Sequence, residues 1–155
     1  MVGQLLPMPG ITDVVARHAG RRVYLDTNLF IYVLNGAPGL AEQCVSLLDA
    51  CCRNEVHGVT GDLTLAELLV QPLRHNDVAA VRAVREMLME SGAVTLIGHD
   101  RACFERAARL RAAHALKMPD ALHLATALGC EATCFVSNDR GLPAVAGIEI
   151  SVLGD

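Results

Sequence analysis

The sequence predicts an α/β fold in which a parallel sheet is covered by helices on both faces, and two observations carry that prediction. Short apolar, β-branched runs alternate with longer stretches whose apolar residues recur at helical spacing, the pattern of repeated strand and helix units. The chain has 155 residues, 52% of them hydrophobic, which is enough to bury one ordinary core without disulfides or a structural metal. One domain at 21–155 is expected, preceded by an N-terminal extension at 1–20.

The elements follow in chain order. In the extension, "ITDVVARHA" places Ile11, Val14, Val15 and His18 on one helical face, consistent with a short docking helix. The first strand is "RRVYLD" at 21–26. Leu40, Cys44, Leu47, Leu48 and Cys51 then mark a helix, and "VHGVT" at 56–60 reads as the second strand. "LAELLVQPLRH" is helical, as is the segment carrying Val78, Val81, Met87 and Leu88. "AVTLIG" at 93–98, "TCFVS" at 133–137 and "IEISVL" at 148–153 supply three more strands. Helices through "DRACFERAARLRAAHA" and "DALHLATAL" separate the third strand from the fourth.

Within the first unit, "VYLDTNLFIY" at 23–32 has a polar Asp26-Thr27-Asn28 triplet in an otherwise apolar and aromatic run. Polar atoms buried there without partners would cost several kcal/mol. The run is therefore read as a strand meeting a helix, with Asp26 at the junction. In an open parallel sheet the functional crevice lies beyond the carboxyl ends of the strands, where strand order reverses, so such junctions are where chemistry is expected.

Composition narrows the function classes. The sequence holds no apolar stretch long enough to span a membrane. "MVGQLLPMPG" lacks a basic start and is broken by Pro7, Pro9 and Gly10, unlike a secretory signal. A cytoplasmic protein is expected. The net charge of −4 shows no basic footprint for nucleic acid, so a polyanionic substrate would need bound cations or local arginines. The six cysteines, Cys44, Cys51, Cys52, Cys103, Cys130 and Cys134, form no CxxC pair and mostly occupy apolar helical positions, as buried free thiols do.

Four acidic residues stand at element boundaries beside apolar sequence. Asp26 closes the first strand, Glu67 lies within "LTLAELL", Asp120 follows Pro119 at the head of a helix, and Asp139 lies in "VSNDRGL" after the fourth strand. Each has a structural explanation. Asp26 and Asp120 suit helix caps or first turns, worth about 0.3–1 kcal/mol; Thr64 to Glu67 matches a capping box; Asp139 suits a turn. Jointly, neighbouring first and fourth strands would make three carboxylates converge, with Glu67 able to join them. Two carboxylates at about 4 Å repel by about 4 kcal/mol at an effective dielectric near 20, so such a cluster takes up protons or binds a cation. Oxygen-only donors favour Mg²⁺ or Mn²⁺, which suits metal-assisted phosphodiester hydrolysis.

"VYLDTNLFIYVLNG", "LTLAELLVQPL", "KMPDALHLATAL" and "FVSNDRGL" together resemble the successive signatures of the PIN domain family, and particularly of VapC-type toxins of bacterial toxin/antitoxin pairs. The resemblance runs from about residue 22 to the C-terminus. It implies a three-layer α/β/α fold with a five-stranded parallel sheet of order 3-2-1-4-5. It also implies Mg²⁺- or Mn²⁺-dependent endoribonuclease activity that leaves a 5′-phosphate and a 3′-hydroxyl, and a homodimer inhibited by a cognate antitoxin. Matched motif to motif, the acidic residues are Asp26, Glu67, Asp120 and Asp139. Asp26, Asp120 and Asp139 would hold one or two ions, and Glu67 would orient or deprotonate the attacking water or hold a second ion.

Neighbouring residues carry two readings each. Thr27, Asn28 and Asn138 either satisfy local backbone amides or hydrogen-bond the carboxylates and metal-bound water. His123 shares a helix face with Asp120, either packed or touching substrate, and Arg140 is either an exposed charge or a phosphate grip. Arg82, Arg85, Arg101, Arg106, Arg109 and Arg111 make solvated helix faces, some of which could line an RNA path. Two other functions compete with the ribonuclease. One is a binding module with the same fold and little activity. The other is a haloacid-dehalogenase-like phosphatase, whose second carboxylate would stand where this chain has Asn28.

Overall fold

Strands form at all five expected positions, and their pairing sets which chain segments meet at the carboxyl edge. The computed structural model describes residues 10–154; residues 1–9, part of the extension set apart at 1–20, lie outside the described residues. In chain order the elements are α1 (Ile11–Arg17), β1 (Arg22–Leu25), α2 (Thr27–Asn35), α3 (Leu40–Cys52), β2 (His57–Gly61), α4 (Asp62–Arg74) and α5 (Val78–Arg85). A π-helical turn at Glu86–Glu90 continues α5, followed by β3 (Val94–Ile97), α6 (Arg101–Ala113), α7 (Met118–Gly129), β4 (Cys134–Ser137) and β5 (Glu149–Val152). The sheet is parallel throughout, in the order β3-β2-β1-β4-β5, which is the three-layer arrangement implied by the family resemblance.

Strand periodicity divides the core into two layers. Val23, Leu25, Cys134 and Val136 face one side, where they pack with residues of α1, α2, α3 and α4. Tyr24 and Phe135 face the other, against α6 and α7, because successive strand residues point to opposite faces. Both faces of β1 and β4 are therefore buried, which explains their near-continuous apolar sequence.

Strand order reverses between β1 and β4. From β1 the chain crosses to β2 and β3 on one side, then returns to β4 and β5 on the other. The β1–β4 register pairs Leu25 with Val136, so Asp26 and Ser137 come next at the carboxyl edge. Since α7 returns over the sheet before entering β4, its N-terminus overhangs the same edge.

One local expectation changes. Thr64 to Glu67 is not a capping box, because α4 begins earlier, at Asp62, with Gly61 at its N-cap and no side-chain cap. Thr64 is thus inside the helix and buried, and its hydroxyl lies 2.7 Å from Thr60 Oγ1. That frees Glu67 from the backbone and turns it toward α7.

Candidate active site

Asp26 is both a helix cap and a crevice carboxylate. It is 8% exposed, N-caps α2, and accepts the Thr27 backbone N–H at Oδ1 across 2.8 Å. Its other oxygen, Oδ2, accepts from Ser137 Oγ at 2.7 Å. Cap and neighbouring strand thus fix both oxygens, whereas a cap alone would fix one.

Glu67 is held by α2 and α7. Its Oε1 accepts from Thr27 Oγ1 at 3.0 Å and lies 2.6 Å from His123 Nε2. Burial pushes the Glu67 carboxyl upward, but hydrogen bonding and charge from His123, with the Thr27 hydroxyl, outweigh it and hold the group below its usual range. An ionised carboxylate only accepts, so Nε2 carries the proton. The Tyr24 hydroxyl lies 2.7 Å from His123 Nδ1, and burial first of all drives the Tyr24 pKa far upward, so this hydroxyl keeps its proton. Tyr24, His123 and Glu67 therefore form a hydrogen-bonded chain, with His123 Nε2–H donating to Glu67 and Nδ1 against the Tyr24 hydroxyl. His123, 2% exposed, is a packed histidine that also reaches the acidic residues.

Asp120 lies half-buried in the first turn of α7, where the helix dipole favours it. Its pKa is nonetheless raised, by burial first, then by the negative charges of Asp26 and Asp139, against a lowering by His123, while Glu67 adds the smallest rise. Carboxylates from two halves of the chain therefore feel one another. Asp139 accepts the Gly141 backbone N–H at 2.8 Å in a tight turn, and its own N–H donates to Ser137 Oγ at 3.1 Å.

The remaining candidates divide. Asn138 donates to the Tyr32 hydroxyl, tying the β4 loop to α2, while Asn28 is half-buried and its side chain makes no hydrogen bond among the described residues. Arg140 is exposed beside Asp139. Of the helix arginines, Arg106 and Arg111 are not simply solvated: they donate to the carbonyls of Ala125 and Leu116. Sequence reasoning missed Tyr24 and Ser137, and gave Thr64 only a capping role. Ser137 carried a usable signal, being the last residue of its strand and one before Asn138-Asp139.

The donor set fits a hard divalent cation. Asp26, Asp120 and Asp139 offer only oxygens, and their mutual repulsion, expressed at Asp120, is what a cation relieves. Among the described residues these carboxylates do not all come within 4.8 Å of one another, a spacing that one other trio, His18, Cys134 and Glu149, does reach. A cation that keeps several of its waters suits such a set.

The family model of the PIN domain matches residues 23–148. No curated protein matches the chain in sequence. Solved structures match across most of its length. VapBC2 from Rickettsia felis, bound to a promoter DNA fragment, has a TM-score of 0.68 at 16% identity, covering 84% of this chain and 98% of its own. A toxin–antitoxin complex from Klebsiella pneumoniae gives 0.61 at 21%, covering 81% and 94%. VapC20 from Mycobacterium tuberculosis, described as a toxin cleaving the sarcin–ricin loop, gives 0.59 at 15%, covering 73% and 86%. At these identities the likeness is one of fold.

Proposed function

The chain belongs to the PIN domain family, and from that premise we propose that it is a divalent-metal-dependent endoribonuclease, the cytoplasmic toxin of a toxin/antitoxin pair. The observation supporting this reading is that the β1–β4 pairing and the helix ends bring Asp26, Asp139, Asp120 and Glu67 to one edge of the sheet, where burial first and then the charges of Asp26 and Asp139 raise the Asp120 pKa.

In this reading Asp26, Asp120 and Asp139 hold Mg²⁺ or Mn²⁺. Such an ion, when bound, acidifies a coordinated water and offsets charge developing on the scissile phosphate. The chain's own residues supply orientation and proton handling. Thr27 N–H and Ser137 Oγ fix the Asp26 carboxylate before substrate arrives, so little reorganisation is needed. Thr27 and His123 engage Glu67 at Oε1, leaving Oε2 without a hydrogen bond from the described residues. Oε2 would orient the attacking water and accept its proton; attack at phosphorus breaks the bond to the 3′ oxygen, which takes a proton from solvent and leaves as a 3′-hydroxyl, with a 5′-phosphate on the other product.

A groove supports the antitoxin as partner. About 410 Å³ of space lies between α2, α4 and α5, lined by Ile31, Leu34, Leu68, Pro72 and Val84, with Glu67 also on its wall. Leu34, Val70, Leu73 and Val78 are exposed on the same three helices, an apolar surface of the kind partners cover. Two of the similar structures are toxin–antitoxin assemblies. Homodimerisation belongs to the same proposal. Among the described residues no helix is long and apolar enough to cross a membrane.

The test is RNA cleavage by purified protein with Mg²⁺ or Mn²⁺, against chelator and Asp26→Asn. Metal-dependent cutting that the substitution abolishes is expected. Equal cutting by Asp26→Asn overturns the assignment.

A further inference from the structure

We propose that His18, Cys134 and Glu149 form a second metal site, for a borderline divalent cation of the Zn²⁺ type, which fastens α1 to the sheet. Their ligand atoms lie within 4.8 Å of one another. The donors are nitrogen, sulfur and oxygen, the set Zn²⁺ takes and Mg²⁺ does not. Nothing in the acidic cleft supplies such a set.

Three elements bring the donors together. Cys134 and Glu149 are cross-strand partners in the β4–β5 register, so their side chains stand side by side on one face. That is the face α1 covers, with Ile11 and Val14 packed in the same core layer as Cys134. His18, buried, is the C-cap of α1. The site lies where β4 begins, whereas Ser137 and Asp139 mark the acidic cleft where β4 ends.

The surroundings orient each donor. His18 Nδ1 is 2.8 Å from Thr133 Oγ1, and Nε2 is 2.8 Å from Glu149 Oε2. A Thr133 hydroxyl accepting Nδ1–H leaves Nε2 as ligand, the role a second partner plays for metal-bound histidines. Arg17 pairs with Glu149 Oε1, leaving Oε2 for the cation. The Glu149 side chain is 39% exposed, which opens a route of entry and room for a water as fourth ligand.

Binding exchanges protons for the ion. Burial pushes the Cys134 thiol up to about 12, so its proton is present beforehand and leaves to solvent as the sulfur–metal bond forms. The proton between Nε2 and Oε2 leaves as well, to Nδ1 or to solvent. With no cation, the same residues form a proton-bridged clasp between His18 and Glu149.

Cobalt titration of the full chain separates the two states, because a thiolate-to-cobalt charge-transfer band arises only at a sulfur ligand. One equivalent of Co²⁺ is expected to produce the band in the wild type and in Asp26→Asn, with Zn²⁺ displacing it. Cys134→Ser and His18→Gln are each expected to lose it, and, with Mg²⁺ in excess to occupy the acidic cleft, Zn²⁺ is expected to raise the melting temperature of the wild type more than that of either variant. His18→Gln carries the test if Cys134→Ser does not fold. No band in the wild type, or a band undiminished by these substitutions, leaves the proton-bridged clasp and overturns the metal site.

Discussion

Ser137 donates its hydroxyl proton to Asp26 Oδ2 across 2.7 Å, linking the last residue of β4 to the residue after β1. Partners behind a metal-binding carboxylate typically contribute about 10–100-fold in affinity or activity. On the proposed function, Ser137→Ala is therefore expected to weaken metal-dependent RNA cleavage by about that factor while the protein remains folded. Cleavage rate against metal concentration, beside circular dichroism, measures both.

Asp120 should reveal the cluster without substrate. Burial and the neighbouring carboxylates raise its pKa above the unfolded value, so the ionised form destabilises the metal-free fold at neutral pH, and that penalty fades as pH falls through the folded pKa. In chelator at neutral pH, Asp120→Asn is expected to melt above the wild type. Added Mg²⁺ or Mn²⁺ should raise the wild-type melting temperature more than that of the variant.

Tyr24 makes separable contributions to packing and to proton position. Its ring stacks on Phe135 at 5.1 Å between centroids, and Tyr24→Phe keeps that contact while deleting the hydrogen bond to His123. A stability loss of about 0.5–1.5 kcal/mol is expected, together with, on the proposed function, a fall in kcat as the His123 ring loses the partner at Nδ1. Denaturant unfolding and steady-state kinetics on an RNA oligonucleotide read the two effects.

Gly61 is held small by the same residue. A Cβ there would stand 2.5 Å from His99 Cε1 and 2.7 Å from the Tyr24 hydroxyl. Gly61→Ala is expected to lower stability by about 1–3 kcal/mol, as overpacking does, visible as a drop in the urea midpoint.

His99 gives the fold a pH edge. Burial, and then the charge of His123, lower its pKa from 6.5, while its Nε2 accepts the Leu63 backbone N–H at 2.9 Å. The unfolded chain protonates first, so stability falls as pH drops below about 6.5 and stops falling, for this group, below the folded pKa. Melting temperatures between about pH 7.5 and 5 should slope less in His99→Gln than in the wild type.

Strand positions were legible because short β-branched runs separated by helical spacing leave few alternatives, as at "TCFVS". The acidic residues were legible as junction positions, but their companions were not. Ser137 meets Asp26, and Cys134 meets Glu149, only through strand order and register, which no local pattern encodes. Thr64 and Glu67 misled for the opposite reason. Their spacing satisfied a local rule, but α4 starts at Asp62 and carries Glu67 to Thr27 and His123 instead.

The reversal of strand order has a consequence for synthesis. Asp26 and Glu67 are translated early, Asp120 and Asp139 late, and the cleft closes only when β4 takes its place beside β1. A nascent chain still short of Cys134–Ser137 lacks Asp139 and the strand that anchors Asp26. On the proposed function, the nuclease stays unassembled until β4 has been made, so an inhibitor has nothing to act on before that point.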